Sequence, residues 1–241
     1  RLLKVVNSSL YLFPSKIETV SRAITIVGQR DLKELVLSAT ISSIFEKISS
    51  DLIDIDLFWR HGIYTGIIAN NLANRCRVLH AERMFTTAGL LHDIGHLVMS
   101  YKLPDRVREV NVLIAEQGLS KHAAEMKIFG YDHAEVGRQL MLQWGFPESH
   151  QATTQHHHDP SKANLFVLES MIICMANRLA HVAELGEYEQ SSLEDIPDSV
   201  WTMTNVSKKD IDSILASARE QFIEALQLFR PGQPPSDTYA A

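Results

Sequence analysis

Only two of the 241 residues are cysteine, Cys76 and Cys174, and neither belongs to a C-x-x-C pair. That is too few for a disulfide framework, so both read as reduced, small apolar residues of a cytosolic protein. No run of about 18 uncharged apolar residues occurs, which leaves a membrane span unsupported. The nearest, Leu165 to Ala183, is broken by Glu169, Asn177 and Arg178. Positive charge is also short: 23 Lys and Arg against 29 Asp and Glu give a formal charge of −6. Nucleic acid or an anionic membrane needs a basic surface, so neither is expected as a partner. Almost nothing alternates with period two, and no internal repeat is seen. The chain opens on Arg1-Leu2-Leu3-Lys4 with neither methionine nor a leader pattern, and is expected to be a piece of something longer.

What is present is helical periodicity. A composition 45% apolar and 22% charged is enough for one substantial core or two small helical lobes. Asp31-Leu32-Lys33-Glu34 resembles a capping box ahead of an apolar stripe. A helix should start near Asp54 or Asp56 and run through His61 to about Cys76. Another should span Glu82 to Ile94, with Gly95 as the residue that ends it. Pro104 suits a first helical turn that Gly118 closes, and Ser120 to Phe129 is a short helix ended by Gly130. Asp132 caps the helix that begins at His133 and stops before Gly145, and Pro147 starts the next. His156, His157 and His158 fall at the end of that one, where Pro160 forbids continuation. Long helices from about Asn164 to Leu185 and from Ser207 to Phe229 complete the chain. The expected class is all-α, with a division near residues 50–56.

Against this background the most informative stretch is Gly89-Leu90-Leu91-His92-Asp93-Ile94-Gly95-His96. An imidazole and a carboxylate stand side by side at the end of an apolar helix. Alone the pair says little, but His61, His133 and the run His156-His157-His158 recur at element starts and ends. Neutral imidazoles with a carboxylate suit a borderline divalent metal: Fe, Mn, Ni or Zn. His92 and Asp93 point about 100° apart on a helix, so they converge on one ion only if other helices close around the helix end. His96, four residues after His92, reads as a surface or phosphate-contacting residue because Gly95 intervenes. Taken singly, His61 reads as a buried structural histidine, His133 as an exposed helix start, and Asp93 as a helix cap or a partner of Arg178. His80, His122, His150 and His181 read as ordinary surface or packing residues, and the acidic stretch Glu184 to Glu194 as a solvated loop.

Taken in order, these motifs resemble the HD superfamily of metal-dependent phosphohydrolases, and specifically its HDOD branch of signalling output domains. Leu3 to Ile41 is similar to the second half of the HDOD N-terminal helical lobe, through Val6-Asn7-Ser8, Pro14, Ile17, Ala23-Ile24 and Gly28. Trp59-Arg60-His61 and Ala88 to Gly95 resemble the HD core. Gly130 to Gly137, Trp144-Gly145-Phe146-Pro147 and His157-His158-Asp159-Pro160 match the downstream pattern. The resemblance implies an HD-domain-like helical bundle with an N-terminal lobe. Its divisions would be a lobe over 1–53, a core over 54–187, a helical extension over 188–230 and a disordered tail over 231–241.

It also implies ligand roles. His61, His92 and Asp93 would hold a first metal with a late helical aspartate. Asp93 would bridge to a second held by His133 and one of His157 and His158, and the metals would activate water and polarise a phosphoryl oxygen. Two departures bear on this. The late aspartate is Asn177, a poorer ligand without charge, which favours one ion over two because Asp93 is then the only carboxylate assigned. The lysine that follows His-Asp-Ile-Gly in active relatives is His96, a weaker phosphate contact. The Gly-Tyr-Pro signature of the cyclic-di-GMP-hydrolysing relatives is absent, with Pro160-Ser161-Lys162 in its place. The sequence therefore points first to a cytoplasmic signal-transduction module acting through a signalling partner or fused receiver-type domain. The second reading is a phosphohydrolase of a nucleotide or phosphodiester, with Asp93 and His92 at the reacting centre.

Overall fold

In a computed structural model the described residues are 16–28, 51–78, 82–185 and 193–229, and all regular structure among them is helical. The helices are α1 (Val20–Val27), α2 (Ile55–Arg75), α3 (Glu82–Leu91), α4 (Ile94–Lys102), α5 (Pro104–Gln117) and α6 (Lys121–Phe129). Then come α7 (His133–Gln143), α8 (Glu148–His156), a 3₁₀ turn over Pro160–Lys162, α9 (Val167–Leu185), α10 (Asp198–Thr204) and α11 (Lys208–Phe229). The all-α expectation holds. The capping box at Asp31, most of the N-terminal lobe, His80 and the 231–241 tail lie outside the described residues.

Local chemistry sets most of the boundaries. The Asp54 carboxylate accepts from the amides of Asp56 and Leu57 to open α2. Ser120 accepts from the Ala123 amide and Asp132 from the Glu135 amide, each meeting an amide the helix cannot satisfy itself. Gly118 and Gly130 close α5 and α6 with φ of +61° and +78°, a region that glycine enters without strain. The short α10 after Pro197 has no counterpart in the sequence reading.

One boundary differs. No single helix runs from Glu82 to Ile94: α3 stops at Leu91, His92 and Asp93 form a turn, and α4 starts at Ile94. Gly95 is thus inside α4 rather than beyond the end of a helix. Its role is a close approach. A Cβ there would sit 1.9 Å from the His133 carbonyl oxygen and 2.9 Å from the Gly137 amide nitrogen. Gly89 and Gly66 play the same part between α3 and α2, where a Cβ on Gly89 would meet the Gly66 nitrogen at 2.4 Å.

The central helix is α2, buried along most of its length between α3, α9 and α11. Ile63, Ile67, Ile68 and Leu72 of α2, Phe85 and Leu91 of α3, and Ile172, Met175 and Leu179 of α9 share one core. Ile17 and Ala23 reach it from the N-terminal side. Ile211, Leu215 and Phe222 of α11 belong to it too, with Phe222 stacked on Tyr64 at 3.9 Å. The polar residues of interest lie at one edge of this core.

Because the neighbour of Gly95 is backbone, Gly95→Ala should force α4 and α7 apart and cost at least about 2 kcal/mol. A thermal melt should fall by about 5 °C. Gly118→Ala, with nothing within 4 Å of the added carbon, should lose only the smaller cost of its left-handed backbone.

Candidate metal centre

The turn between α3 and α4 carries His92 and Asp93 into the interior. The His92 Nδ1–H donates to the Gly89 carbonyl at 2.7 Å, and the His157 Nδ1–H donates to the Thr154 carbonyl at 2.7 Å. Both bonds reach back three residues and fix the tautomer that leaves Nε2 as a lone pair. Those two Nε2 atoms and Oδ1 of Asp93 are buried without a hydrogen-bond partner. Asp93 lies between the two rings. Its Oδ2 is 3.4 Å from His92 Nε2, and its Oδ1 is 3.3 Å from Nε2 of both His133 and His157. His158 completes this side, with Nε2 at 2.8 Å from His133 Nε2.

On the other side His61, one of the buried faces of α2, has Nε2 at 2.9 Å from Asn177 Oδ1 and Nδ1 at 3.3 Å from Glu184 Oε2. Its ring centre is 5.3 Å from that of His92. The structure therefore brings His61, His92, Asp93, His133, His157, His158 and Asn177 into one connected cluster. A cavity of about 1070 Å³ opens beside it, lined among others by His61, Asp93, His133, His158 and Asn177. Asp93 stands at the N-terminus of α4 but makes no side-chain capping bond, so a capping role does not describe it.

Four further residues take part: His96, His181 and Glu184, to which the sequence assigns other roles, and Glu125, which no motif marks. His96 is not on the surface: it is 7% exposed, its Nδ1 is 3.0 Å from Glu125 Oε1, and its ring stacks on His133. Glu125 is 3% exposed and accepts from the His133 backbone amide at 3.0 Å and from His133 Nδ1–H at 2.5 Å. Glu184 belongs to α9 and lies against His61 rather than in a solvated loop. His181, one turn before it, stacks on His61 with ring centres 4.2 Å apart. These contacts all cross between helices, so nothing in the local sequence marked them. Asp159, by contrast, is half exposed and pairs with Lys162 at 3.0 Å.

The electrostatics follow from burial. Burial alone would raise the Asp93 carboxyl, yet His92, His133 and His157 around it hold it well below the ordinary range. Burial keeps His92 neutral and pushes it down to about 3, against the pull of Asp93. His96 is pushed down to about 3 by burial and by cationic His133. Burial also opposes charge on His133, but the adjacent Asp93 and Glu125 carboxylates outweigh it and raise it to about 9. Burial disfavours the Glu184 carboxylate, but His181 and His61 overcome that and lower it to about 2.

These donors fit a transition metal ion. A buried carboxylate oxygen and two buried imidazole lone pairs, all without partners and all converging, are costly unless a cation takes them. Ligand atoms of Asp93, His133, His157 and His158 lie within 4.8 Å of one another, as do those of His61, His92 and Asp93. The carboxylates of Asp93, Glu125 and Glu184 also amend the charge count made from the sequence, which had Asp93 alone.

The HDOD domain family model matches residues 1–160. This chain belongs to the HDOD family. A Treponema pallidum (strain Nichols) protein of uncharacterised role is 27% identical over 160 residues, 66% of this chain and 30% of that protein. The chain therefore spans under a third of that relative's length. Among solved structures, a Shewanella amazonensis SB2B protein provisionally named a phosphohydrolase superposes with a TM-score of 0.73 at 22% identity, covering 95% of this chain and 81% of its own. An HDOD domain protein of unknown function from Geobacter sulfurreducens gives 0.64 at 22% identity over 91% and 80%. The MmoQ response regulator of Methylococcus capsulatus str. Bath gives 0.55 at 19% identity over 89% and 83%. At these identities the structural likeness establishes the HD-like fold. No helix among the described residues is long and apolar enough to cross a membrane.

The cluster sets a pH dependence for the metal-free protein. His92 and His96 are neutral when folded and take up protons on unfolding below about 6.5, so stability should fall as pH drops from 7 to 5. Each such proton contributes about 1.4 kcal/mol per pH unit. His133 works in the opposite sense: its contribution is complete below about 6.5 and is lost as pH rises through 9. Urea unfolding in the presence of chelator should place the stability maximum near neutrality. A maximum at pH 5 would contradict this arrangement.

Proposed function

We propose that the chain is an HDOD-type signal-transduction output module that holds a divalent transition metal ion, Fe, Mn, Ni or Zn, against Asp93. The observation that carries this reading is the pair of buried, partnerless atoms His157 Nε2 and Asp93 Oδ1, with His92 Nε2 likewise unpaired beside them. One ion at Asp93, His133, His157 and His158 uses the fuller donor set and is preferred over two at this centre. When bound, such an ion supplies positive charge that clamps these helices together, and Lewis acidity toward a phosphate that enters the cavity.

The chain's own residues do the positioning. Gly89 and Thr154 carbonyls aim the His92 and His157 rings, and Glu125 holds His133 at both its backbone amide and Nδ1. Output would pass to a signalling protein or a fused receiver-type domain through helical surfaces. The likeness in fold to a response regulator is consistent with that setting. The cytosol is the compartment that two unpaired cysteines suit.

A second reading, a metal-dependent phosphohydrolase of a nucleotide or phosphodiester with Asp93 and His92 at the reacting centre, is favoured by one observation. The Glu125 and Glu184 carboxylates relieve the charge deficit that Asn177 creates. Against it, His96 replaces a phosphate-facing lysine and is buried against Glu125, where it offers no cation to a substrate.

Elemental analysis of purified protein should find metal that Asp93→Ala reduces by about one equivalent. Saturating metal should raise the wild-type melting temperature by about 5–10 °C and that of Asp93→Ala by less. Equal wild-type melting temperatures with and without metal would end the clamp reading. Turnover of a generic phosphodiester with Mn²⁺, Fe²⁺ or Ni²⁺, abolished in a folded Asp93→Ala, would put the phosphohydrolase first.

A further inference from the structure

We infer that the cavity holds a second, separate cation site, built by His61, His181 and Glu184, that takes Zn²⁺ or a similar imidazole-seeking divalent ion. It does not rest on the proposed function, because it shares no ligand with the Asp93–His133–His157–His158 set.

The geometry starts on α9. Asn177, His181 and Glu184 are spaced four and three residues apart, so one face of that helix presents all three toward α2. His61 meets them from α2. Its Nδ1 is 3.3 Å from Glu184 Oε2, and His181 Nδ1 is 3.6 Å from the same oxygen. The ligand atoms of the three residues all fall within 4.8 Å of one another. Tetrahedral zinc with bonds near 2.1 Å requires ligand atoms roughly 3.4 Å apart, which both Glu184 contacts approach. The exposed His181 ring, now stacked on His61 at 4.2 Å, must rotate to aim its lone pair at the same ion. Two imidazoles and a carboxylate are also a donor set this metal commonly takes, with a fourth position left for solvent.

A second observation points to a ligand. Glu184 Oε1 is buried and has no hydrogen-bond partner, although its side chain is only 11% exposed. The His61 tautomer agrees. Asn177 Oδ1 can only accept, and at 2.9 Å it takes Nε2–H from His61. The His61 Nδ1 then faces Glu184 Oε2 at 3.3 Å, a gap bridged by a proton on His61 in the metal-free protein and open to a metal ion that displaces that proton. If His61 instead gave Nε2 to an ion beside Asp93, the same nitrogen would face the Asn177 oxygen without a proton. The site also accounts for His181. A ring with a side chain 60% exposed gains little from stacking on a buried imidazole, but it is well placed as the solvent-side ligand of an exchangeable ion. Asn177, in this arrangement, orients His61 and is not itself a ligand.

The test is Zn²⁺ titration of the full chain by calorimetry, with competing chelator, for wild type, His181→Ala, Glu184→Gln and Asp93→Ala. His181→Ala and Glu184→Gln should each weaken one of the bound equivalents by at least about 10-fold, and Asp93→Ala should leave that equivalent in place. His181 is exposed, so its variant should stay folded, and its metal-free melting temperature, lowered only by the lost Glu184 and His61 contacts, separates ligand loss from misfolding. Unchanged zinc affinity and stoichiometry in His181→Ala would overturn the site. So would loss of one and the same ion in His181→Ala and Asp93→Ala. Should the Asp93 centre bind nothing, wild type would show a single equivalent that His181→Ala weakens and Asp93→Ala keeps, which separates the two claims.

Discussion

An ionised carboxylate in the interior of a helical bundle costs several kcal/mol unless cations or donors surround it. Asp93 is such a group, and the structure is arranged around it. The carboxylate is where it is because α3 and α4 do not join smoothly. Their axes part at His92 and Asp93, and α4 is drawn against α7 through Gly95, which has backbone where a Cβ would be. That contact brings the His133 end of α7 to Oδ1 of Asp93, and the end of α8 brings His157 to the same oxygen. The ligand cluster is thus a consequence of backbone packing, and the imidazoles in turn make the buried carboxylate tolerable.

Caps and stops were legible in the sequence because they are short-range chemistry. Asp132 caps the helix it was expected to cap, Asp54 and Ser120 open helices where starts were expected, and Gly118 and Gly130 close theirs. The same logic misread Gly95. A glycine after an apolar helix resembles a terminator, and only the approach of His133, nearly forty residues later, gives it another reason to be there. The His-Asp turn is hidden for a related cause, since apolar periodicity continues through Ile94 and Leu97, both fully buried. Glu125 and Glu184 left no mark because a carboxylate one or two helices away from its histidine has the same local sequence as a surface one. The histidines themselves were readable, since His92, His133 and His157 sit at helix ends where a bundle of this length gathers its polar groups. His181 was not, being one more imidazole on a long amphipathic helix.

Asn177 is the residue on which the chemistry turns. An aspartate there would place a second charged oxygen beside His61 and favour two ions sharing Asp93. The amide removes that charge and accepts a hydrogen bond from His61 at 2.9 Å, which directs the other nitrogen of the ring outward to Glu184. Negative charge is therefore still present on α9, two turns farther along the helix. His96 changes the opposite end in the same spirit. A lysine at that point would reach into the cavity as a fixed cation, whereas the imidazole lies under His133 and shares the Glu125 carboxylate with it. Asn177 and His96 thus leave the charge of these two regions on Glu184 and Glu125 in the walls of the cavity. That placement suits a site that organises helices more than one that stabilises a phosphoryl transition state.

Such a site has a natural connection to signalling. Its donors come from the α3–α4 turn, the start of α7 and the segment just after α8, three pieces of backbone that no single secondary-structure element holds in register. Without a cation, the Asp93–imidazole network must hold them against the burial of its own polar atoms, and the neighbouring His157 and His61 disfavour charge on His92. On the proposed reading, an ion would replace that balance with bonds to all the pieces at once, so its binding free energy would become free energy of helix arrangement. Any partner that touches α7 or α8 from outside then senses the occupancy of a centre it never contacts, provided it binds the two arrangements unequally. A phosphohydrolase needs its metal mainly at the instant of reaction. On the proposed reading, the module would need it throughout, as part of the shape a partner would recognise.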